Sequence, residues 1–214
     1  MIVELVGPPG VGKSTVAGHL AGRLGAHWVN LTGYFHPDGT SMTGRAIRFD
    51  RIASLVLQPR LAGLALRCWR REGTGEGMSW TINLARRNRA AKRLTGSYVL
   101  EEGPVHALAL YAAGGDHRPF ETILTALALP DALVILSAEV DTVVDRLRSR
   151  GEIWSERADD GNARAVRAYV AALGRITPML RVPVIETNAT SPPEEVATRL
   201  AARVNLACGG SASG

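Results

Sequence analysis

The sequence predicts an α/β fold in three layers, in which helices cover both faces of a five-stranded parallel sheet. Short apolar runs alternate along the chain with helical patterns, an order that favours right-handed crossovers and parallel strands. The runs are apolar almost throughout, as is typical of strands that are buried on both faces. The predicted strands are residues 2–6, 28–32, 98–101, 132–137 and 182–186.

Local signals bound several of the predicted helices. Pro59 interrupts a long helical pattern, because proline lacks an N–H donor and clashes with the preceding turn. Gly151 is suited to a left-handed C-terminal cap, and Glu194 stands three residues after Ser191, the spacing of a capping box. The predicted helices are residues 14–24, 45–71 with the break at Pro59, 80–94, 119–129, 139–150, 162–176 and a last helix that starts at Ser191.

Length and composition fit one globular domain. The chain has 214 residues, of which 46% are hydrophobic and 21% charged. We expect a single domain over residues 1–208, with a lid-like segment near 150–162 and a flexible tail over 209–214. No apolar run reaches the roughly 18 residues of a membrane span, and the first residues lack the basic lead-in of a signal peptide. Two cysteines do not make a disulfide framework, so a cytoplasmic location is expected.

The net charge of +5 has two interpretations. Of the 25 basic residues, all but Lys13 and Lys92 are arginines. A general arginine richness of the genome would explain this excess, and an anionic ligand would also favour it. The basic residues are scattered rather than gathered in one stripe with aromatic residues, so the sequence does not predict a nucleic-acid partner.

A glycine-rich segment follows the first predicted strand and precedes a helix. It has the pattern G-x-x-x-x-G-K-S of the phosphate-binding loop. Glycines let successive N–H groups turn inward as an anion-binding nest, and the following helix points its positive end at the same anion. The lysine supplies a mobile charge for the outer phosphates and the serine a ligand for Mg²⁺. The segment therefore predicts binding of ATP with Mg²⁺. Its residues are Gly7, Pro8, Pro9, Gly10, Val11, Gly12, Lys13, Ser14 and Thr15.

Acidic residues follow two of the predicted strands, at the edge where ligands bind to parallel sheets. At the end of the third strand, Glu101 is a candidate Mg²⁺ ligand through water, and Glu102 is a candidate general base. Which of the two has which role stays open. Asp38, in the loop after the second strand, is a rival base.

An arginine-rich segment follows the fourth strand and its helix. Arg146 and Arg150 are four residues apart and therefore share a helical face. Arg157 lies in a polar stretch suited to folding over bound phosphates, where guanidinium groups would stabilise the charge on a transferring phosphoryl group. We expect Arg150 and Arg157 to act from a lid; a solvated helix end is the alternative.

These motifs resemble those of the P-loop nucleoside and nucleotide kinases, a family that includes thymidylate kinases and deoxynucleoside kinases. The resemblance covers most of the chain and rests on residues 7–15, the acidic pair Glu101 and Glu102, the segment 146–157 and the strand exit at 185–187. It implies a five-stranded parallel sheet and a magnesium-dependent transfer of the ATP γ-phosphate. A homodimer is compatible with the resemblance, because members of the family are often dimers.

The acceptor side departs from both subfamilies. The Phe-Asp-Arg segment at 49–51 resembles a thymidylate kinase segment whose arginine meets the acceptor phosphate. However, no arginine follows Glu101 and Glu102, and residues 32–34 hold no glutamate where deoxynucleoside kinases carry one. The resemblance leaves open whether the acceptor is a nucleoside, a nucleotide or another hydroxylated metabolite.

The sequence as a whole predicts an ATP- and Mg²⁺-dependent small-molecule kinase, in which Lys13 and the lid arginines stabilise the transferring phosphoryl group. The alternative is a nucleotide-dependent switch or chaperone-like ATPase, in which hydrolysis drives a change of shape and no small acceptor exists. ATP is the default nucleotide, because the chain has no guanine-reading Asn-Lys-x-Asp signature.

Overall fold

A sheet of five parallel strands forms the centre of the fold. The computed structural model of the chain describes residues 1–31, 44–72, 75–114, 120–151 and 159–209. The strands are β1 (Ile2–Val6), β2 (His27–Asn30), β3 (Tyr98–Glu101), β4 (Ala132–Ser137) and β5 (Val184–Asn188). Their order across the sheet is β2-β3-β1-β4-β5, and all are parallel. This confirms the predicted α/β fold.

Helices connect the strands. None of them, in the part of the chain that the structure describes, combines the length and the apolar character needed to cross a bilayer. The helices are α1 (Lys13–Leu24), α2 (Gly44–Val56), α3 (Pro59–Glu72), α4 (Gly75–Ala91), α5 (Pro104–Ala113), α6 (Glu121–Leu124), α7 (Val140–Ser149), α8 (Asp159–Ile176) and α9 (Pro193–Gly209).

The chain divides into two compact units. The sheet unit consists of Met1–Val29, Gly96–Glu101 and Pro130–Gly214, and it holds the sheet with α1, α7, α8 and α9. The helical unit consists of Asn30–Thr95 and Glu102–Leu129, and it holds α2 to α6. The expectation of one domain with a lid near 150–162 stays a prediction.

Strand β1 lies in the middle of the sheet unit. Its Leu5 is opposite Glu101 of β3 on one side and Val134 of β4 on the other. On one face of the sheet, α1 and α9 pack into a common apolar core. Because parallel strands end at the same edge, this register brings the end of β3 beside the residues that follow β1.

In the helical unit, α4 packs against α2, α3 and α5. Its Asn88 is fully buried. The Asn88 Oδ1 accepts a hydrogen bond from the N–H of Ala128 at 2.6 Å, and the Nδ2 donates to Gln58 Oε1 at 2.6 Å and to the Ala126 carbonyl at 3.1 Å. This one amide therefore ties the junction between α2 and α3, and the segment after α6, to the central helix.

The inner strands have their predicted bounds, whereas the two outer strands are displaced. Strands β1, β3 and β4 are as predicted, but β2 covers His27–Asn30 instead of 28–32, and β5 covers Val184–Asn188 instead of 182–186. At the edge of the sheet, Thr187 and Asn188 pair with β4 although they are polar. An edge strand tolerates polar residues on its exposed side, so the end of the apolar run does not mark the end of β5.

Helix α5 was not predicted from the sequence. Eight of its ten residues are buried: Pro104 to Ala109, Tyr111 and Ala112. Without a polar face, the helical period is not visible in the pattern of residue types. A proline at the first helical position, after Gly103, is the signal that marks its start.

Other predicted helix bounds also differ. The helix predicted over 119–129 is reduced to α6, because the side chain of Asn88 binds the backbone groups of Ala126 and Ala128 in place of helical partners. Helix α4 begins at Gly75 instead of residue 80, and α9 begins at Pro193 instead of Ser191. Gly151 has a φ of 65°, which confirms the predicted left-handed cap.

The Asn88 network generates a prediction about stability. In the variant Asn88→Ala, the Ala128 N–H and the Ala126 carbonyl lose their partner, so we expect the free energy of unfolding to fall by about 2–4 kcal/mol. Urea denaturation followed by circular dichroism measures this. The control Arg93→Ala changes an exposed residue and should lie within about 0.5 kcal/mol of the wild type. Equal effects of the two variants would contradict the role assigned to Asn88.

Candidate active site

The glycine-rich loop connects β1 to α1 and has the backbone conformation that its sequence predicts. Gly12 has a φ of 102°, in the region that side-chain-bearing residues rarely adopt. At Gly7, an added Cβ would lie 2.5 Å from the carbonyl oxygen of Leu136, so the close approach of β4 also requires glycine. These constraints explain why glycines stand at both ends of the motif.

Lys13 lies at the start of α1 with its ammonium turned back over the loop. The Nζ donates to the carbonyls of Gly7 at 3.0 Å and Pro8 at 3.1 Å, and the side chain is buried. A carbonyl is a neutral dipole, so a phosphate oxygen would bind the same ammonium more strongly. The geometry is suited to receiving an anion above the loop.

Ser14 and Glu101 are brought together, as the register of β1 and β3 requires. The Ser14 hydroxyl donates to Glu101 Oε1 at 2.5 Å. The Glu101 side chain is only 3% exposed, and its Oε2 has no hydrogen-bond partner within the described parts of the chain. A buried carboxylate oxygen without a partner is costly unless water or a cation satisfies it. Hydroxyl and carboxylate oxygens are ligands that Mg²⁺ prefers, so these residues fit a magnesium ion.

Helices α7 and α8, which belong to the same unit as the loop, contact it through two side chains. The Arg146 Nη1 makes long hydrogen bonds of 3.4 Å to the carbonyls of Gly10 and Val11. The fully buried Tyr169 hydroxyl accepts a hydrogen bond from the N–H of Gly7 at 3.3 Å. Tyr169 was not singled out from the sequence, because a tyrosine 162 residues away carries no local signal for this contact.

Of the two predicted lid arginines, the structure describes Arg150 but not Arg157. Arg150 follows α7 and is exposed, and its side chain makes no hydrogen bond or ion pair with the residues that the structure describes. Arg157 lies outside the described residues, as does Asp38. Within the predicted arginine segment, Arg146 is the residue that contacts the phosphate loop.

Glu102 belongs to the helical unit and has an unusual backbone. Its φ of 57° is the one positive value at a non-glycine residue of the described chain. The Arg87 Nη1 donates to its carbonyl at 3.0 Å, and the carboxylate Oε2 lies 3.9 Å from Arg87 Nη2 and 3.8 Å from His106 Nε2. Strained backbone at a polar residue is typical of functional sites. The carboxylate thus lies beside the Arg87 guanidinium and the His106 imidazole.

Two further arginine contacts involve α4. The Arg86 Nη2 donates to the carbonyl of Leu31, just after β2, at 2.9 Å. Arg89 forms an ion pair of 2.9 Å with Asp50 of α2. Asp50, within the segment that resembles an acceptor-binding motif, is therefore engaged in joining two helices of the helical unit. Neither Arg86 nor Arg87 was singled out from the sequence.

Comparison with known proteins supports the fold. No protein-family model matches the chain, and no curated protein matches it either. Among solved structures, a deoxyadenosine kinase from M. mycoides with bound dCMP and dCDP is similar, at 13% identity and a TM-score of 0.59, over 96% of this chain and 99% of that one. A shikimate kinase from Acinetobacter baumannii in complex with shikimate has 18% identity and a TM-score of 0.53, over 99% and 95% of the two chains.

A third similar structure is the YorR protein of Bacillus subtilis in complex with phosphorylated GDP, at 18% identity and a TM-score of 0.52, over 96% of each chain. At these identities the likeness shows the fold alone. The chain has the fold of the P-loop kinases, which confirms the fold expected from the sequence.

The contact between Tyr169 and the loop generates a prediction about phosphate binding. Tyr169→Phe removes the hydroxyl that accepts from Gly7, and we expect the Kd of a magnesium triphosphate to rise about two- to tenfold, as for the loss of one hydrogen bond. Isothermal titration calorimetry measures it. Tyr111→Phe is a matched control, because it changes another fully buried tyrosine, in the helical unit. An equal rise in both variants would show that the effect is not specific to the loop.

Proposed function

We propose that the protein is an ATP- and Mg²⁺-dependent kinase that transfers the γ-phosphoryl group to a small-molecule acceptor. One observation carries the proposal: among the described residues Glu101 Oε2 has no hydrogen-bond partner, while Oε1 of the same carboxylate accepts a hydrogen bond from Ser14, the serine of a phosphate-binding loop. A loop that binds phosphate alone does not need this buried acid. A loop that binds a triphosphate together with its metal ion does need it, as a ligand for the metal.

The sheet unit supplies the triphosphate site in this proposal. The loop from Gly7 to Thr15 offers inward N–H groups, and the positive end of α1 adds to their attraction for phosphate. Lys13 would exchange its carbonyl partners for the outer phosphates. Tyr169 and Arg146 hold the loop from α8 and α7 and keep its shape in the absence of ligand. The fold shared with nucleotide-binding kinases agrees with this assignment.

Ser14 and Glu101 are the residues that would hold Mg²⁺. When bound, the ion would neutralise charge on the β- and γ-phosphates. Glu101 contributes a buried negative charge, and Ser14 a neutral oxygen. We propose that Glu101 acts on the metal and Glu102 on the acceptor, a division that the sequence left open.

Glu102 is the proposed general base. The acceptor hydroxyl gives its proton to the carboxylate of Glu102 as its oxygen attacks the γ-phosphorus, and the bond from phosphorus to the β,γ-bridging oxygen breaks, so that ADP leaves. The backbone of Glu102 and its position beside Arg87 and His106 support this role, whereas Asp38 lies outside the described residues. Arg150 and Arg157 remain proposed lid residues that stabilise the transferring group.

The alternative, a switch or chaperone-like ATPase, would use the same loop without an acceptor. The buried polar groups around Glu102 favour the kinase, because a switch has no use for a base held in this way. A cytoplasmic location and a homodimer remain predictions from the sequence.

An ADP-release assay against a panel of nucleosides, nucleotides and other hydroxylated metabolites tests the kinase proposal. We expect one class of acceptor to stimulate ADP release strongly, and Lys13→Ala to reduce kcat/KM at least about 100-fold, since the outer phosphates lose their charged partner. Glu102→Gln should abolish turnover and Asp38→Asn should not. The opposite result would make Asp38 the base. Hydrolysis that no acceptor stimulates would favour the switch.

A second prediction concerns magnesium. Glu101→Gln keeps the shape of the side chain but removes its charge, so we expect the Mg²⁺ concentration for half-maximal activity to rise about 10–100-fold, with activity partly recovered at high Mg²⁺. Titration of Mg²⁺ at saturating ATP measures it. Glu194→Gln, at an exposed position of α9, is the control and should not change the curve. An unchanged Mg²⁺ titration curve for Glu101→Gln would contradict the proposal that Glu101 binds the metal.

A further inference from the structure

A groove of about 240 Å³ lies within the helical unit, along the first half of α3 and beside α6. We call it the α3 groove. Both helices belong to the same unit, and none of the lining residues takes part in the proposed phosphoryl transfer. The described residues that line it are Pro59, Arg60, Leu61, Gly63, Leu64 and Arg67 of α3 and Ile123 of α6.

The floor of the α3 groove is apolar. Leu61, Leu64 and Ile123 are buried, whereas the other lining residues are exposed. At Gly63, an added Cβ would meet no atom of the described chain within 4 Å outside its own stretch of helix, so the space beside the helix is open there. Covering apolar surface is favourable, and the groove therefore suits the apolar body of an organic molecule.

Two arginines stand on the rim of the groove. Arg60 and Arg67 are exposed, and neither makes a hydrogen bond or an ion pair with the residues that the structure describes. A separation of seven residues places them on one face of α3, about 10 Å apart along the helix axis. None of the described lining residues is acidic. The rim therefore presents positive charge that no carboxylate of the groove compensates.

The charge of the surrounding unit also favours an anion. Residues 30–95 and 102–129 contain 13 basic and seven acidic side chains, which gives the helical unit a formal charge of +6. The sheet unit contains 12 basic and 13 acidic side chains, a formal charge of −1. A general arginine richness of the genome would charge both units alike. The excess on the helical unit is therefore consistent with an anionic ligand there.

The size of the groove sets the kind of ligand. A stable interface between two proteins buries at least about 1,000 Å², far more surface than a groove with seven described lining residues provides. Drug-sized molecules occupy pockets of about 300–1,000 Å³, so a groove of about 240 Å³ suits a smaller molecule. An inorganic ion would leave the apolar floor uncovered. A small organic anion satisfies the size, the floor and the rim together.

We propose that the α3 groove binds a small organic anion, whose apolar body covers the floor and whose carboxylate or phosphate accepts hydrogen bonds from Arg60 and Arg67. Guanidinium groups bind both kinds of oxyanion through forked pairs of hydrogen bonds. Binding at the groove requires neither ATP nor an acceptor. The inference therefore goes beyond the proposed kinase function, and it stands or falls by a measurement of binding rather than of turnover.

Calorimetry with matched probes tests the chemistry of the ligand. The carboxylate probe is 3-phenylpropionate, compared with the neutral 3-phenylpropanol and with acetate, which carries the charge without the apolar body. The phosphate probe is phenyl phosphate, compared with phenol. We expect at least one of the two aromatic anions to bind at least tenfold more tightly than its counterparts, and the tighter of the two distinguishes a carboxylate from a phosphate. Absence of binding by both anions, or equal binding by the neutral compounds, would overturn the proposal.

Arginine variants locate the binding. Arg60→Gln and Arg67→Gln should each weaken the binding of the better anion at least about threefold, and the double variant at least tenfold. Arg70→Gln is the matched control, because it removes another exposed arginine of α3 that does not line the groove, and it should stay within twofold of the wild type. Unchanged binding in the double variant, or an equal loss in Arg70→Gln, would overturn the proposal.

A variant that fills the groove gives an independent test. Gly63→Leu adds a side chain where the structure leaves open space, so we expect the better anion to bind at least tenfold more weakly. Leucine is a better helix former than glycine, so the temperature of thermal unfolding should not fall, and a loss of binding then reflects occupation of the groove. Unchanged binding in a folded Gly63→Leu variant would show that the anion binds elsewhere.

Discussion

The hydrogen bond between Ser14 and Glu101 is the contact on which the site depends. It exists because β1 and β3 are neighbours whose ends lie side by side, with Leu5 opposite Glu101. Ser14 begins the helix after β1, and Glu101 ends β3, so a single strand pairing brings a phosphate loop and a buried acid together. The glycines of the loop and the packing of α1 and α9 serve to hold this arrangement.

The strands that are buried on both sides could be predicted from the sequence, because their apolar runs coincide with their hydrogen-bonded lengths. The edge strand β5 could not be bounded in the same way, since Thr187 and Asn188 continue its ladder with polar side chains. Helix α5 was hidden for the opposite reason: almost every position is buried, so no polar stripe reveals its period. Burial of nearly every residue therefore reveals a strand as a short apolar run, but it hides the period by which a helix is recognised.

The candidate site likewise contains residues that the sequence indicates and residues that it does not. The proximity of Lys13, Ser14 and Glu101 could be predicted, because a contiguous motif and the rule for strand ends bring them to the same edge of the sheet, while their roles stay predictions. Tyr169, Arg86 and Arg87 could not, because their roles arise from contacts between residues far apart in the chain. Asp38 and Arg157 lie outside the described residues and stay predictions, and Arg150 is described but makes no contact with the loop.

The backbone of Glu102 has a consequence for engineering. Glycine adopts a φ near 57° readily, whereas a residue with a side chain is strained there by about 1–2 kcal/mol. A search for heat-tolerant variants would therefore favour glycine at this position and, in doing so, delete the carboxylate. With Glu102 as the proposed general base, thermal stability and turnover would make opposite demands on this residue, and selection for one alone would be expected to reduce the other.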